Sequence, residues 1–274
     1  MVKIFTMVKG EVDIVEDWVM YHGSIFGYKN LYVIDNYSLD GTFQKLIELK
    51  NRFGIKVYRL PNYKKKGEYM TKLLRTFCNK ELGIPIDIDE FIVYFNKNTN
   101  SISCNPQVIN NYLMSLPYYP IFKMNYIQSK LINTNNDNNG YMRATVESHN
   151  GIYDSRGSSA KSFFWSHIFK GTIDHGNHYQ TNKYIMTNLC LLHFHTRNLD
   201  QIKKKVYNNI KGLGYNPFNI NSLNQKLINN PICEGNHHIR KQIDILIGTF
   251  NLPYENSEEN DIDLTEFNKY IVSI

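Results

Sequence analysis

The chain lacks the marks of several protein classes. Its 274 residues hold four cysteines, Cys78, Cys104, Cys190 and Cys233, all far apart. No Cys-x-x-Cys spacing supports a zinc site and nothing outlines a disulfide scaffold, so a reducing, cytoplasmic setting is expected. No apolar stretch approaches the roughly 18 residues of a membrane span. Met1 to Glu11 lacks the apolar core of a signal peptide. A Gly-rich phosphate loop with basic residues is missing near the N-terminus, which disfavours a nucleotidyltransferase.

What is present points to a folded α/β chain. Hydrophobic residues make up 42% and aromatic residues 14%, which excludes disorder and supplies one sizeable core. The net charge of +6 suits an anionic ligand such as a nucleoside diphosphate. Lys64-Lys65-Lys66 and Lys203-Lys204-Lys205 are the two basic runs, and both read as solvated faces.

The first half alternates strand and helix signals. Strands are predicted at Val2 to Val8, Leu31 to Ile34, Ile55 to Leu60 and Ile84 to Ile88. Helices are predicted at Asp13 to His22, Phe43 to Phe53 and Glu68 to Leu82. This order implies a mostly parallel sheet with helices on both faces. Further strands are expected at Pro120 to Lys130, Lys161 to Phe169 and Leu189 to His195. Helices follow at Leu199 to Lys211 and Ile239 to Phe250, and the acidic tail from Glu255 reads as peripheral.

The segment Asp87-Ile88-Asp89-Glu90-Phe91 carries the chemistry. An apolar strand runs out and then delivers three acids in four residues, although clustered carboxylates repel one another. In extended chain, positions i and i+2 point the same way, so Asp87 and Asp89 are expected to offer oxygens to one cation, Mn2+ or Mg2+. Glu90 is expected to make supporting hydrogen bonds and Phe91 to pack in the core.

At these residues the chain resembles GT-A-type glycosyltransferases of the family-2-like and family-92-like group. The resemblance rests on four blocks in order. They are Met7-Val8-Lys9-Gly10-Glu11, then Glu16-Asp17-Trp18-Val19-Met20-Tyr21-His22, then Asp35-Asn36-Tyr37-Ser38-Leu39-Asp40-Gly41-Thr42, and finally Asp87-Ile88-Asp89-Glu90-Phe91. A weaker match continues at Leu192-His193-Phe194-His195-Thr196-Arg197. The resemblance implies a catalytic domain over 1–198, with a nucleotide-sugar half at about 1–95 and an acceptor half at about 96–198. Residues 199–274 would form a C-terminal helical extension. It implies that Thr6, Val8 and Lys9 line the nucleotide site and that Asp35 bonds the base or ribose. Asp87 would face the sugar and Asp89 would bind metal. The implied partners are a nucleoside-diphosphate sugar, UDP-linked for preference, and a hydroxyl acceptor on a glycan or protein, with inversion at the anomeric carbon.

His193 and His195 also stand at i and i+2. His193 is favoured to complete the metal shell, and a zinc site built from His175, His178, His193 and His195 is the competitor. Lys161 and Arg197 are candidates to neutralise phosphate charge. An inverting enzyme needs a carboxylate base, for which Glu147, Asp154 and Asp174 are the candidates. Asp40 is assigned to a turn with Gly41. The rival readings are a nucleotidyltransferase-type enzyme and a non-catalytic nucleic-acid- or sugar-binding module, though the acids at 87–90 would repel nucleic-acid phosphates unless a cation intervened.

Overall fold

The computed structural model describes residues 2–132, 150–154, 160–195, 197, 199–233, 235–251, 254–255 and 261–274. The chain forms two compact units, Met1–His195 with Ser257–Ile274, and Thr196–Asn256. The closing segment thus clusters with the first unit, whereas the sequence reading keeps 199–274 together.

In the first unit, β1 (Val2–Val8) is an apolar run buried on both faces, as a strand covered by helices on each side must be. Helix α1 (Val15–Phe26) presents Trp18, Tyr21, His22 and Ile25 to the core, the i, i+3, i+4, i+7 stripe of an amphipathic helix. Strand β2 (Leu31–Asp35), helix α2 (Thr42–Phe53) and strand β3 (Lys56–Arg59) follow. Next come α3 (Lys66–Phe77), β4 (Leu82–Pro85), β5 (Glu90–Asn96), β6 (Ser101–Ser103) and α4 (Pro106–Met114). Strands β7 (Ile121–Ser129), β8 (Leu131–Ile132), β9 (Asn150–Asp154), β10 (Lys161–Trp165) and β11 (Ile185–His193) complete the run to the unit boundary.

The second unit contains α5 (Leu199–Gly212), α6 (Ile220–Asn229), α7 (Asn236–Ile247) and β12 (Tyr254–Glu255). Its core joins Ile202, Val206 and Ile210 at spacing four with Leu223 and Ile239. The chain then returns to the first unit as β13 (Ile262–Asp263) and α8 (Thr265–Ser273).

The α/β class read from the sequence is the class observed, but the sheet is mixed rather than mostly parallel. Its order is β3-β2-β1-β4-β10-β7-β11-β5-β6, with β9 on β7 and β13 on β9. The four strands from β3 to β4 are parallel. Beyond β4 the pairings are antiparallel except for β7 with β11. One of these pairings follows from connection length: a short turn joins β5 to β6, and only an antiparallel pair can be closed that way.

Two further expectations are corrected. The tail from Glu255 is not peripheral throughout, because Ile262, Leu264, Phe267 and Ile271 are fully buried and Phe267 packs against Phe91 and Phe194. The strand before the acids stops at Pro85, earlier than Ile88. Proline has no N–H to extend the ladder.

Candidate active site

Because β4 ends at Pro85, Asp87 and Asp89 lie in a turn and not in extended chain. Ile86 N–H still donates to the Phe5 carbonyl at 2.9 Å. Glu90 N–H then donates to the Asp87 carbonyl at 3.2 Å, while Asp87 N–H donates back to Glu90 Oε2 at 2.7 Å. This double closure removes the i, i+2 parallelism expected of a strand, and the two aspartates take different partners.

Asp87 is held by cations. Lys66 Nζ bonds one carboxylate oxygen and Lys161 Nζ bonds the other at 2.7 Å. Burial alone would raise the Asp87 carboxyl, but Lys161 and Lys66 outweigh it and hold it well below the usual carboxylate range. Lys161 also stands 3.4 Å from Glu90 Oε1, the oxygen that receives the Tyr126 hydroxyl at 2.9 Å. Burial would lower the Lys161 ammonium, yet Asp87 and then Glu90 push it above the ordinary lysine value. Glu90 is 1% exposed and Phe91 is fully buried, the roles expected of both.

Lys66 corrects the reading of its lysine run as solvated: Lys64 and Lys65 are exposed, but Lys66 is buried. Gly67 allows this. A Cβ there would collide with the Ile173 carbonyl oxygen and approach the Asp174 carbonyl carbon to 2.9 Å, so only glycine lets α3 begin this close to that backbone.

Asp89 turns to the histidines. The β5–β11 register sets His193 opposite Glu90, and Phe194 N–H donates to the Asp89 carbonyl at 2.9 Å. With Phe194 in the core, alternation directs His193 and His195 to one side. Asp89, His193 and His195 each bring one ligand atom to within 4.8 Å of the others. His193 Nε2 lies 3.7 Å from Asp89 Oδ2, and His193 Nδ1 lies 3.0 Å from Gln128 Oε1. One carboxylate oxygen and two imidazole nitrogens form a coherent donor set for a divalent transition cation, so these residues fit a metal. Among the described residues, His175 and His178 do not belong to this cluster.

The other predicted residues fall as follows. Thr6 is fully buried on β1, and among the described residues its Oγ1 has no hydrogen-bond partner. Val8 is buried beside Asp35 across the β1–β2 pair, and Lys9 is exposed. Asp35 is fully buried; both oxygens accept from Ser38 N–H, at 3.1 and 3.3 Å, and Arg59 Nε lies 3.1 Å from Oδ2. Arg59 in turn lies over the Tyr37 and Phe43 rings at 4.7 and 4.2 Å. Asp40 Oδ1 accepts from Thr42 N–H at 3.2 Å, the turn role assigned to it.

Arg197 is buried, not on an open surface. Asp174 caps a turn by accepting from His178 N–H at 3.0 Å and from Tyr179 N–H. Asp154 ends β9 directly opposite Tyr126. Glu147 lies outside the described residues. Sequence reasoning missed Lys66, Tyr126 and Gln128. The signal for Lys66 was its glycine neighbour, while Tyr126 and Gln128 become visible only through the β7–β11 register.

No family model matches the chain, and no curated protein matches it. Solved structures do. S. aureus TarS 1-349 in complex with UDP superposes with a TM-score of 0.45 at 11% identity, over 90% of this chain and 70% of that one. Glucosyl-3-phosphoglycerate synthase from Mycobacterium tuberculosis with Mn2+ and UDP-glucose gives 0.42 at 12% identity, over 79% and 80%. HddC from Yersinia pseudotuberculosis gives 0.41 at 10% identity, over 70% and 93%. Among the described residues, no helix is long and apolar enough to cross a membrane.

Proposed function

We propose that this chain is a metal-dependent GT-A-type glycosyltransferase. It takes a sugar from a nucleoside diphosphate, UDP for preference, and gives it to a hydroxyl on a glycan or protein acceptor in a cytoplasmic setting. The observation that carries the reading is the Asp89–His193–His195 cluster, set beside the Asp87–Lys66–Lys161 group where β4 ends. Ligands of open α/β sheets bind outside the carboxyl ends of the strands. A cation here neutralises charge that grows on a leaving diphosphate. Lys66 and Lys161 add fixed positive charge beside it and hold Asp87 in place for a sugar or ribose hydroxyl.

The four sequence blocks favour inversion, which needs a base. Asp154 lies opposite Tyr126, whose ring is 5.2 Å from His193. Register therefore favours Asp154 to take the acceptor proton.

The test is a thermal-shift titration with nucleoside diphosphates, with and without Mn2+. UDP with Mn2+ raises the melting temperature, and Asp89→Ala abolishes the shift. Asp154→Asn keeps the shift but loses turnover by a factor on the order of 100 or more. No stabilisation by any nucleotide sinks the reading, and full turnover in Asp154→Asn removes Asp154 as base.

A further inference from the structure

We propose that Lys123 and Asn125 form a binding site for a small phosphate-type oxyanion that still carries a hydroxyl. The site is separate from the cation cluster and does not depend on the transferase reading.

Lys123 lies on β7 and is 2% exposed. Among the described residues no hydrogen bond or ion pair reaches its ammonium, and the Tyr184 ring stands 4.7 Å away. Burial lowers this ammonium below the ordinary lysine value, and Asp174 offsets the effect only in part. The Asp174 carboxylate accepts from the His178 and Tyr179 N–H groups and forms no ion pair with Lys123. A buried charge without a counter-ion is costly, and an anion arriving beside it relieves that cost.

Asn125 follows on the same face of the strand and is 4% exposed. Its Nδ2 donates to the Tyr153 hydroxyl at 2.6 Å. That leaves Oδ1 buried, with no hydrogen-bond partner among the described residues. The pair therefore offers a cationic donor and a vacant acceptor, about 6.6 Å apart along the strand. An anionic oxygen suits the first and a hydroxyl the second. The sheet is irregular beside them. Met186 pairs with Lys123 and Cys190 with Asn125, so β11 sets Thr187, Asn188 and Leu189 against Met124 alone. Bulges are over-represented beside functional sites, where they re-aim side chains. Met124 points to the other face, as does its register partner Lys161, which holds Asp87. Lys123 thus lies across the sheet from the Asp87 group.

The experiment is isothermal titration calorimetry of the full chain with inorganic phosphate and with sulfate. A chelator is present, nucleotide is absent and the pH is near neutral, where phosphate keeps a proton and sulfate has none. Phosphate should bind at least about fivefold more tightly than sulfate, the worth of one neutral hydrogen bond. Lys123→Met should weaken phosphate at least about tenfold without lowering the anion-free melting temperature, because an uncompensated charge is removed. Asn125→Ala, read independently, should erase the difference between phosphate and sulfate. Asp89→Ala should bind phosphate as the unaltered chain does. The proposal is overturned by absence of phosphate binding, by equal binding in Lys123→Met or by a preference undiminished in Asn125→Ala. A large fall in the anion-free melting temperature of Lys123→Met would make the lysine structural, and loss of binding in Asp89→Ala would put the anion at the cation cluster; either also overturns it. The transferase reading fails separately, through a missing response to UDP with Mn2+.

Discussion

Glu90 shows how a single residue organises this site. It is 1% exposed, yet it accepts from the Asp87 N–H and the Tyr126 hydroxyl and pairs with Lys161. A buried carboxylate is tolerable only with such partners. Lys161 serves Glu90 and Asp87 together, so Lys161→Met strands one buried acid and weakens the hold on another. The expected cost is about 3 kcal/mol, read from the urea midpoint. Lys66→Met costs less, because Asp87 keeps Lys161 and its side chain is 33% exposed. The acids themselves were legible in the sequence, since three carboxylates after an apolar strand have no packing reason to be there. Their partners were not, because Lys66 and Lys161 are 21 and 74 positions away from Asp87.

At the scale of elements, α1 is fastened to β5 by His22. Its Nδ1 lies 3.0 Å from the Trp18 carbonyl, and its Nε2 accepts the Ile92 N–H at 3.3 Å, so the ring is neutral with both nitrogens engaged. Burial pushes His22 down from 6.5 to about 3, against a small upward pull from the Trp18 carbonyl. The unfolded chain takes up this proton below about pH 6.5 and the native chain does not. Stability therefore falls on acidification, by up to about 1.4 kcal/mol per pH unit, until the native ring protonates near pH 3. Denaturant titrations between pH 7 and 4 should show this slope, and His22→Gln should flatten it. An equal slope in the variant would assign the acid sensitivity to other groups. Element existence was largely legible from periodicity. Helix α8 was missed: its burial of Phe267 and Ile271 depends on the acidic tail returning to the first unit.

For the whole molecule, the net charge of +6 suits an anionic ligand, and a cation held by Asp89, His193 and His195 would draw that ligand to one end of the sheet. A ligand that binds only the native state stabilises it by about 2.7 kcal/mol at 100 times its Kd. The UDP-dependent rise in melting temperature should therefore grow with the logarithm of UDP concentration and vanish when Mn2+ is chelated. A shift that ignores chelation would place the nucleotide away from Asp89.

The sequence by itself determined the α/β class, the parallel strands of the first half, the clustered acids at 87–90 and the pair of histidines at 193 and 195. These are local signals, carried by periodicity, by turn residues and by charges set close together along the chain. Only the tertiary structure decided that the sheet is mixed beyond β4, that Asp87 answers to two lysines, and that Asp89 faces both imidazoles. Those outcomes depend on strand register and on the turn after Pro85, which join residues from distant parts of the chain. No spacing within one segment encodes them.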